Sequence, residues 1–120
     1  MSVPVMTALA AGVLIIGAPV LLAANSAVAA AHAGSAADAG ALAAADAALG
    51  LYPDPSVDPC ALAAEVARQN RASLHACDVD LATGRARVTA SVRVGLFTVS
   101  RSAHAGPAYD VASSAASTLE

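Results

Sequence analysis

The polarity pattern divides the chain into a long apolar first part and a shorter second part in which apolar and polar residues alternate. Residues 3–24 contain no Asp, Glu, Lys, Arg or His. A helix of this length crosses the roughly 30 Å hydrocarbon core of a bilayer. Of the 27 residues at 23–49, 16 are alanine, the strongest helix former, so the helix should continue beyond the membrane surface. We therefore predict a transmembrane segment at 1–24 and an alanine-rich stalk helix at 25–50.

The alanine-rich stretch has no clearly polar side. His32, Ser35 and Asp46 fall on one side of a helix, but Leu42 and Leu49 fall there too. A smooth alanine surface suits a helix packed among neighbouring helices better than one standing alone in water. We expect this stalk to provide a larger part of any functional surface than the head does.

A second, shorter helix is predicted after a proline-rich break. Gly50 can end the first helix, and Pro53 and Pro55 prevent its continuation. Asp58 followed by Pro59 is typical of an N-cap with proline at the first helical position, so a helix should run from here to about residue 70.

Beyond residue 71 the apolar residues recur at every second position. This alternation is clearest at 85–96, and it predicts further strands at 73–81 and 97–105. The glycine of Ala82-Thr83-Gly84 suits a hairpin turn. The fold class is therefore α+β: a long N-terminal transmembrane and stalk helix, then a head at 51–107 with one short helix packed on a three-stranded antiparallel sheet. Residues 108–120 show no pattern and are expected to be a disordered tail.

The two cysteines, Cys60 and Cys77, fall on the second helix and on the first strand. In an oxidising compartment a disulfide between them would join helix to sheet and stabilise the head by about 3 kcal/mol. A redox or metal pair is the alternative, but the chain has no CxxC and no conventional ligand spacing. We expect a structural disulfide.

Composition and motifs indicate no chemistry. With one Phe, two Tyr and no Trp, the chain lacks aromatic surfaces for stacking on bases, so nucleic acid is not an expected partner. His32, His75 and His104 lack metal-site spacing, and GxSxG, HExxH and phosphate-loop motifs are absent. We predict no catalytic, metal or cofactor site, no small-molecule substrate and no enzyme activity.

Charge is unevenly distributed. Residues 38–65 carry five acids and no base, whereas residues 68–101 carry six Arg against two Asp. Such opposite charges could attract the head of one subunit to the stalk of another, although exposed charges are screened over about 8 Å at physiological salt. An ordinary solvated surface is the alternative. The candidate assembly surface comprises Asp38, Leu42, Asp46, Arg85, Arg87 and Arg93.

A cleaved signal peptide is an alternative to a retained membrane anchor. Ala27-Val28-Ala29 and Ala31-His32-Ala33 have the small-residue pattern of signal-peptidase sites. Cleavage near Ala29 or Ala33 would release a small secreted binding domain. The length of the apolar run and the helical pattern through both sites favour the retained anchor.

The chain resembles the TadE/TadG-like family of Flp (tight-adherence) pilus-assembly proteins, and in particular the short helicase/secretion neighbourhood TadE-like proteins. The similarity lies in Ala36-Ala37-Asp38-Ala39-Gly40-Ala41-Leu42-Ala43-Ala44-Ala45 directly after an apolar helix, in Cys60 opening a short helix, in Cys77 on the next strand and in Ala105-Gly106-Pro107. The chain departs from pseudopilins because it lacks their cleavage-site glycine followed by glutamate at the fifth mature position.

This resemblance implies a pilin-like fold and a pseudopilin-like role in a Flp/Tad-type pilus or secretion system. The protein would be a single-pass component of the cytoplasmic membrane with its C-terminal head outside the cytoplasm. Its partners would be membrane lipid and other pilin-like or Tad-system subunits, among them further copies of itself.

Overall fold

A computed structural model describes residues 2–107, which form two helices and one antiparallel sheet. In chain order the elements are α1 (Ser2–Ala48), α2 (Pro59–Gln69), β1 (Ser73–Asp80), β2 (Arg85–Val94) and β3 (Phe97–Ala105). The predicted α+β arrangement of a long N-terminal helix and a small head with a short helix and three strands is confirmed. The disordered tail predicted at 108–120 lies outside the described residues.

Helix α1 is continuous over 47 residues and includes Pro19. At 1.5 Å per residue it is about 70 Å long, and it accounts for most of the 75 Å longest dimension of the described structure. Its first buried residue is Ala29. It ends at Ala48, where Gly50 takes a positive φ of 75° and Leu51 N–H donates to the Asp46 carbonyl at 2.9 Å. The glycine stop predicted for this helix is therefore confirmed.

The three strands pair in sequence order, β1-β2-β3, and both pairs are antiparallel. The β1–β2 turn contains Gly84 with φ of 74°, and the β2–β3 turn contains Gly95 with φ of 58°. These left-handed conformations explain the glycines, because other residues adopt them only at a cost. The pairing of β1 with β2 is shifted between Leu74 and Ala76, which leaves His75 at a bulge.

The second half of α1 lies in the core of the head. Its alanines pack over β2 and β3, while α2 packs beside α1 and against β1. The buried α1 residues are Ala29, Ala33, Ala36, Ala37, Gly40, Ala41, Ala44 and Ala45. The largest fully buried side chain is Val88. Because small side chains let backbones approach closely, helix and sheet pack here with little side-chain volume between them.

Two expectations about packing are therefore corrected. We expected α2 to cover the apolar face of the sheet, but α1 takes most of that position. We also expected the alanine surface of residues 25–49 to pack among neighbouring helices, whereas one whole side of it packs against the protein's own sheet and α2. The physical reason is the same in both cases, since a row of alanines fits closely onto a sheet face that is itself built from Ala86, Val88 and Ala90.

Helix α2 begins where the sequence predicts. Asp58 adopts an extended conformation and its carboxylate accepts a hydrogen bond from Cys60 N–H at 3.3 Å, with Pro59 as the first helical residue. Its fully buried residues are Ala63 and Ala67. The helix ends at Asn70, and the chain turns into β1 through Arg71, which has a positive φ of 57°.

Candidate membrane and assembly surfaces

The first half of α1 is an exposed apolar cylinder. Leu14, Ile15 and Ile16 are 70–72% exposed, and the most apolar 18-residue window has a mean hydropathy of 2.4 with none of it buried. A core helix of a water-soluble domain would bury such a window. Length and composition allow this helix to span a membrane, and a signal sequence near the N-terminus would share these properties.

The candidate assembly residues on α1 lie in one row. Asp38, Leu42 and Asp46 are spaced by four residues and therefore share one side of the helix. Asp38 and Leu42 are exposed, Leu42 by 58%, and Asp46 is half-buried. Since the neighbouring Ala37 and Ala41 are buried under the head, this row faces away from the core.

The candidate arginines on β2 differ from one another in their neighbours. Strand pairing places Asp80 opposite Arg85 and Asp78 opposite Arg87 on the outer face of the sheet. The N–H of Ala82 donates to Asp80 Oδ1 at 2.9 Å, and hydrogen bonds from Ala82 and Thr83, with a minor contribution from the charge of Arg85, lower the pKa of Asp80 below its ordinary 3.8. Cross-strand pairs of opposite charge are a common stabilising feature of sheets. Arg85 is therefore placed to stabilise its own sheet.

Arg87 has a second neighbour on β3. Its Nε donates to Nε2 of His104 at 3.1 Å, and the two residues are directly opposite in the β2–β3 register. This geometry requires the neutral imidazole with its proton on Nδ1, because Nε2 must accept.

Arg93 lies beyond the part of β2 that pairs with β1. Its opposite residue is Thr98 on β3, and the pairing with β1 ends at Ser91. Residues 81–107 contain no acid at all. Arg93 therefore differs from the other two candidates in having no carboxylate opposite it.

The two cysteines form the predicted disulfide. Cys60 in the first turn of α2 is bonded to Cys77 on β1, with a Cα–Cα distance of 5.8 Å and 17 residues of sequence separation. The bond joins α2 to β1, one of the two edge strands of the sheet. Strand β1 is the part of the sheet that α1 covers least, so the disulfide acts where the cover by α1 is weakest.

The three histidines are separated in space and have different environments. The ring of His32 on α1 is hydrogen-bonded through Nε2 to the backbone carbonyl of Asn70, at 2.5 Å. His104 pairs with Arg87, and His75 is exposed at the β1 bulge. Within residues 2–107, no group of three or more His, Cys, Asp or Glu side chains is arranged to hold a metal ion. A shallow groove beside Gly12 and Gly17 on α1 is lined by apolar side chains and is open to the surroundings.

Sequence reasoning missed the end of the β2–β3 hairpin. We define the β2–β3 tip as Gly95, Leu96 and Phe97. Leu96 is 99% exposed and Phe97 77% exposed. The available signal was the interruption of alternation by Gly95 followed by two large apolar residues, one of them the single Phe of the chain.

Comparisons of this chain with models of protein families, with curated proteins and with solved structures found no match.

Proposed function

We propose that this protein is a membrane-anchored, pseudopilin-like component of a Flp/Tad-type pilus-assembly or secretion system, and that it acts through helix packing and protein–protein contacts. One observation carries the proposal: a single continuous helix is an exposed apolar cylinder in its first half and the core of a small disulfide-bonded head in its second. Such a protein presents a head at a defined distance from a bilayer.

Residues 36–45, which carry the resemblance to TadE-like proteins, present two kinds of surface. Ala36, Ala37, Gly40 and Ala41 are buried against the head, while Asp38 and Leu42 are exposed. The small residues of this stretch are thus required for close packing of helix on sheet. The polar and the large apolar residue remain available for contacts with another subunit.

The disulfide supports a position of the head outside the cytoplasm. Structural disulfides form and persist in oxidising compartments and are rare in the cytosol of mesophiles. With the head outside, the first half of α1 would cross the cytoplasmic membrane once. Membrane lipid and neighbouring helices would then cover the apolar surface that is exposed in the single chain.

Contacts between subunits would use the outward row of α1. A neighbouring helix that packs along Asp38, Leu42 and Asp46 would bury the exposed side chain of Leu42. It would also find two carboxylates that favour a basic partner surface.

Membrane fractionation combined with intact-mass measurement tests the anchored state. We expect the full chain in the membrane fraction, resistant to carbonate extraction, with the mass of an unprocessed anchor. A soluble product that lacks the first 29 to 33 residues would overturn the anchored state.

Assembly is tested in the cells that express the protein. Deletion of the gene should abolish surface pili or Tad-dependent secretion, and the full chain should restore it. A photo-reactive residue at Leu42 should cross-link to pilin-like or Tad-system subunits, whereas the same residue at Ser100 on the outer sheet face serves as the matched control. Unchanged pili and secretion in the deletion strain would contradict the proposed role.

A secreted binding domain is the second candidate function, because the main core cluster lies after both candidate cleavage sites. The main core cluster begins at Ala36, so cleavage near Ala29 or Ala33 would keep this cluster and would remove the buried Ala29, together with the buried Ala33 if it occurs after that residue. Cleavage after Ala29 would also keep the bond between His32 and Asn70, whereas cleavage after Ala33 would remove it. The intact mass distinguishes all three states.

A further inference from the structure

The β2–β3 tip is the most exposed apolar feature of the head. Leu96 and Phe97 are two consecutive large apolar residues with exposures of 99% and 77%. Isolated exposed apolar residues are ordinary, but a pair held at the end of a hairpin requires an explanation. The opposite end of the sheet offers a comparison, since the β1–β2 turn carries one exposed leucine, Leu81.

Strand β2 runs towards the membrane segment of α1. Near its start, Gly84 contacts the side chain of Leu49 at the C-terminal end of α1, and further along, Val88 lies against Gly40. Gly84 and Val88 are about 13 Å apart along the strand, and their partners Leu49 and Gly40 are about 14 Å apart along the helix. Strand and helix therefore run side by side in opposite directions, and the β2–β3 turn lies towards the N-terminal half of α1.

The same spacing gives the level of the tip. From Val88 to Leu96 the strand advances about 26 Å at 3.3 Å per residue. From Gly40 back to Ala24, the last residue of the apolar run, the helix advances about 24 Å at 1.5 Å per residue. Leu96 thus lies close to the level at which the apolar run of α1 ends.

The charges around the tip fit a phospholipid surface. Arg93 precedes the tip on β2, lies about 10 Å from Leu96 along the strand and is exposed. No acidic residue occurs between 81 and 107. An apolar pair with an arginine beside it is suited to the boundary between acyl chains and anionic headgroups, where apolar residues insert by about 5–10 Å.

We propose that the β2–β3 tip inserts Leu96 and Phe97 into the interface of the same bilayer that holds α1, with Arg93 against anionic phosphates. This inference rests on the membrane anchoring proposed above. The tip gives the head a second point of attachment to the membrane. The membrane then fixes the rotation of the molecule about the axis of α1 as well as the depth of α1.

The absence of tryptophan from the chain provides a direct test. Single tryptophans are introduced in the full chain by Leu96→Trp, by Leu81→Trp as the matched exposed leucine at the far end of the sheet, and by Leu14→Trp within the apolar run. Each variant is reconstituted into phosphatidylcholine vesicles, with and without phosphatidylglycerol, and its fluorescence is measured with brominated lipids. We expect quenching of the Leu96→Trp indole to exceed that of the Leu81→Trp indole about threefold or more.

The three positions separate the failure of this inference from the failure of anchoring. Quenching at position 14 without quenching at position 96 overturns the tip insertion and leaves the anchor intact, whereas absence of quenching at position 14 overturns the anchor itself. Combining Leu96→Trp with Arg93→Gln should remove the additional quenching seen with phosphatidylglycerol. A blue shift at position 96 that grows with protein density and without bromine quenching would indicate contact with a second copy, and would overturn the lipid assignment.

Discussion

Gly40 of α1 faces Val88 of β2 so closely that a Cβ atom at position 40 would lie 3.3 Å from Val88 Cγ1 and 3.5 Å from the Ala63 carbonyl oxygen. Gly40 is therefore the point at which α1, α2 and the sheet meet. Glycine is less favourable in a helix than alanine. At position 40 it allows the three elements to come into close contact.

Enlarging residue 40 should destabilise the head. Gly40→Leu would force its side chain into Val88 and the α2 backbone, and such overpacking lowers the free energy of unfolding by about 1–3 kcal/mol. The matched control is Gly34→Ala on the same helix, where an added Cβ meets nothing within 4 Å. This control should raise the unfolding free energy by up to about 1 kcal/mol.

Thermal unfolding of the full chain in detergent micelles, followed by far-UV circular dichroism, measures both effects. In the double variant Gly40→Leu with Val88→Ala, the cost should be smaller than the sum of the two single costs, because the smaller residue at 88 makes room. Equal shifts of the unfolding midpoint for Gly40→Leu and Gly34→Ala would contradict the packing described here.

Removal of the disulfide should weaken the attachment of α2 to β1. Replacing both cysteines by alanine is expected to lower the unfolding free energy by about 3 kcal/mol, because the unfolded chain regains the freedom of a 17-residue loop. Reduction of the wild-type protein with dithiothreitol should reproduce this effect and should leave the double alanine variant unchanged. Equal stability of the oxidised and reduced wild-type protein would contradict the prediction.

The hydrogen bond between His32 and the Asn70 carbonyl should stabilise the contact between α1 and the end of α2. His32→Ala is expected to lower the unfolding free energy by about 1 kcal/mol. The control is His75→Ala at the exposed β1 bulge, where a surface substitution should change stability by less than about 0.5 kcal/mol. Hydrogen exchange of the amides at the end of α2 should accelerate in the first variant and not in the second.

Acid should remove the contribution of Asp80. The pKa of Asp80 is lowered in the folded protein chiefly by hydrogen bonds from Ala82 and Thr83, so its stabilising effect is fully present above the ordinary value of 3.8 and is lost as the pH falls below it. Asp80→Asn should therefore lower the unfolding midpoint at pH 7 and have a smaller effect near pH 3. Asp38→Asn is the control.

An unfolding midpoint of the Asp80→Asn variant that lies equally far below wild type at both pH values would show that the effect comes from the shape of the turn. Because Asp80 is exposed, the expected shift is small. The comparison between the two pH values therefore carries more information than the size of the shift at either one.

The strands and α2 could be predicted because their signals are local. Alternation over residues 85–94 requires one covered face, and Asp58 with Pro59 marks a helix start by the hydrogen bond and the backbone angle that those residue types provide. The disulfide followed once Cys60 and Cys77 were assigned to adjacent elements. In each case the residue itself carries the physical property that determines the structure.

The packing of α1 could not be predicted, because alanine occupies both sides of the helix. Asp38 and Leu42 face outwards, whereas Ala37 and Ala41 are buried. Because alanine occurs on every side of the helix, the sequence does not indicate which side is buried. The pairing of Arg85 and Arg87 with Asp80 and Asp78 depends on strand register, which the four-residue turn at 81–84 only partly determines. The level of the β2–β3 tip depends on both of these features.

The continuity of α1 has a mechanical consequence. No loop separates the part of the helix that is suited to lipid from the part that carries the sheet. A rotation of the helix about its own axis must therefore turn the whole head through the same angle, and a tilt of the helix displaces the far end of the head in proportion to its distance from the bilayer. A force on the head is therefore transmitted through α1 to its apolar half, and a force on the apolar half is transmitted to the head.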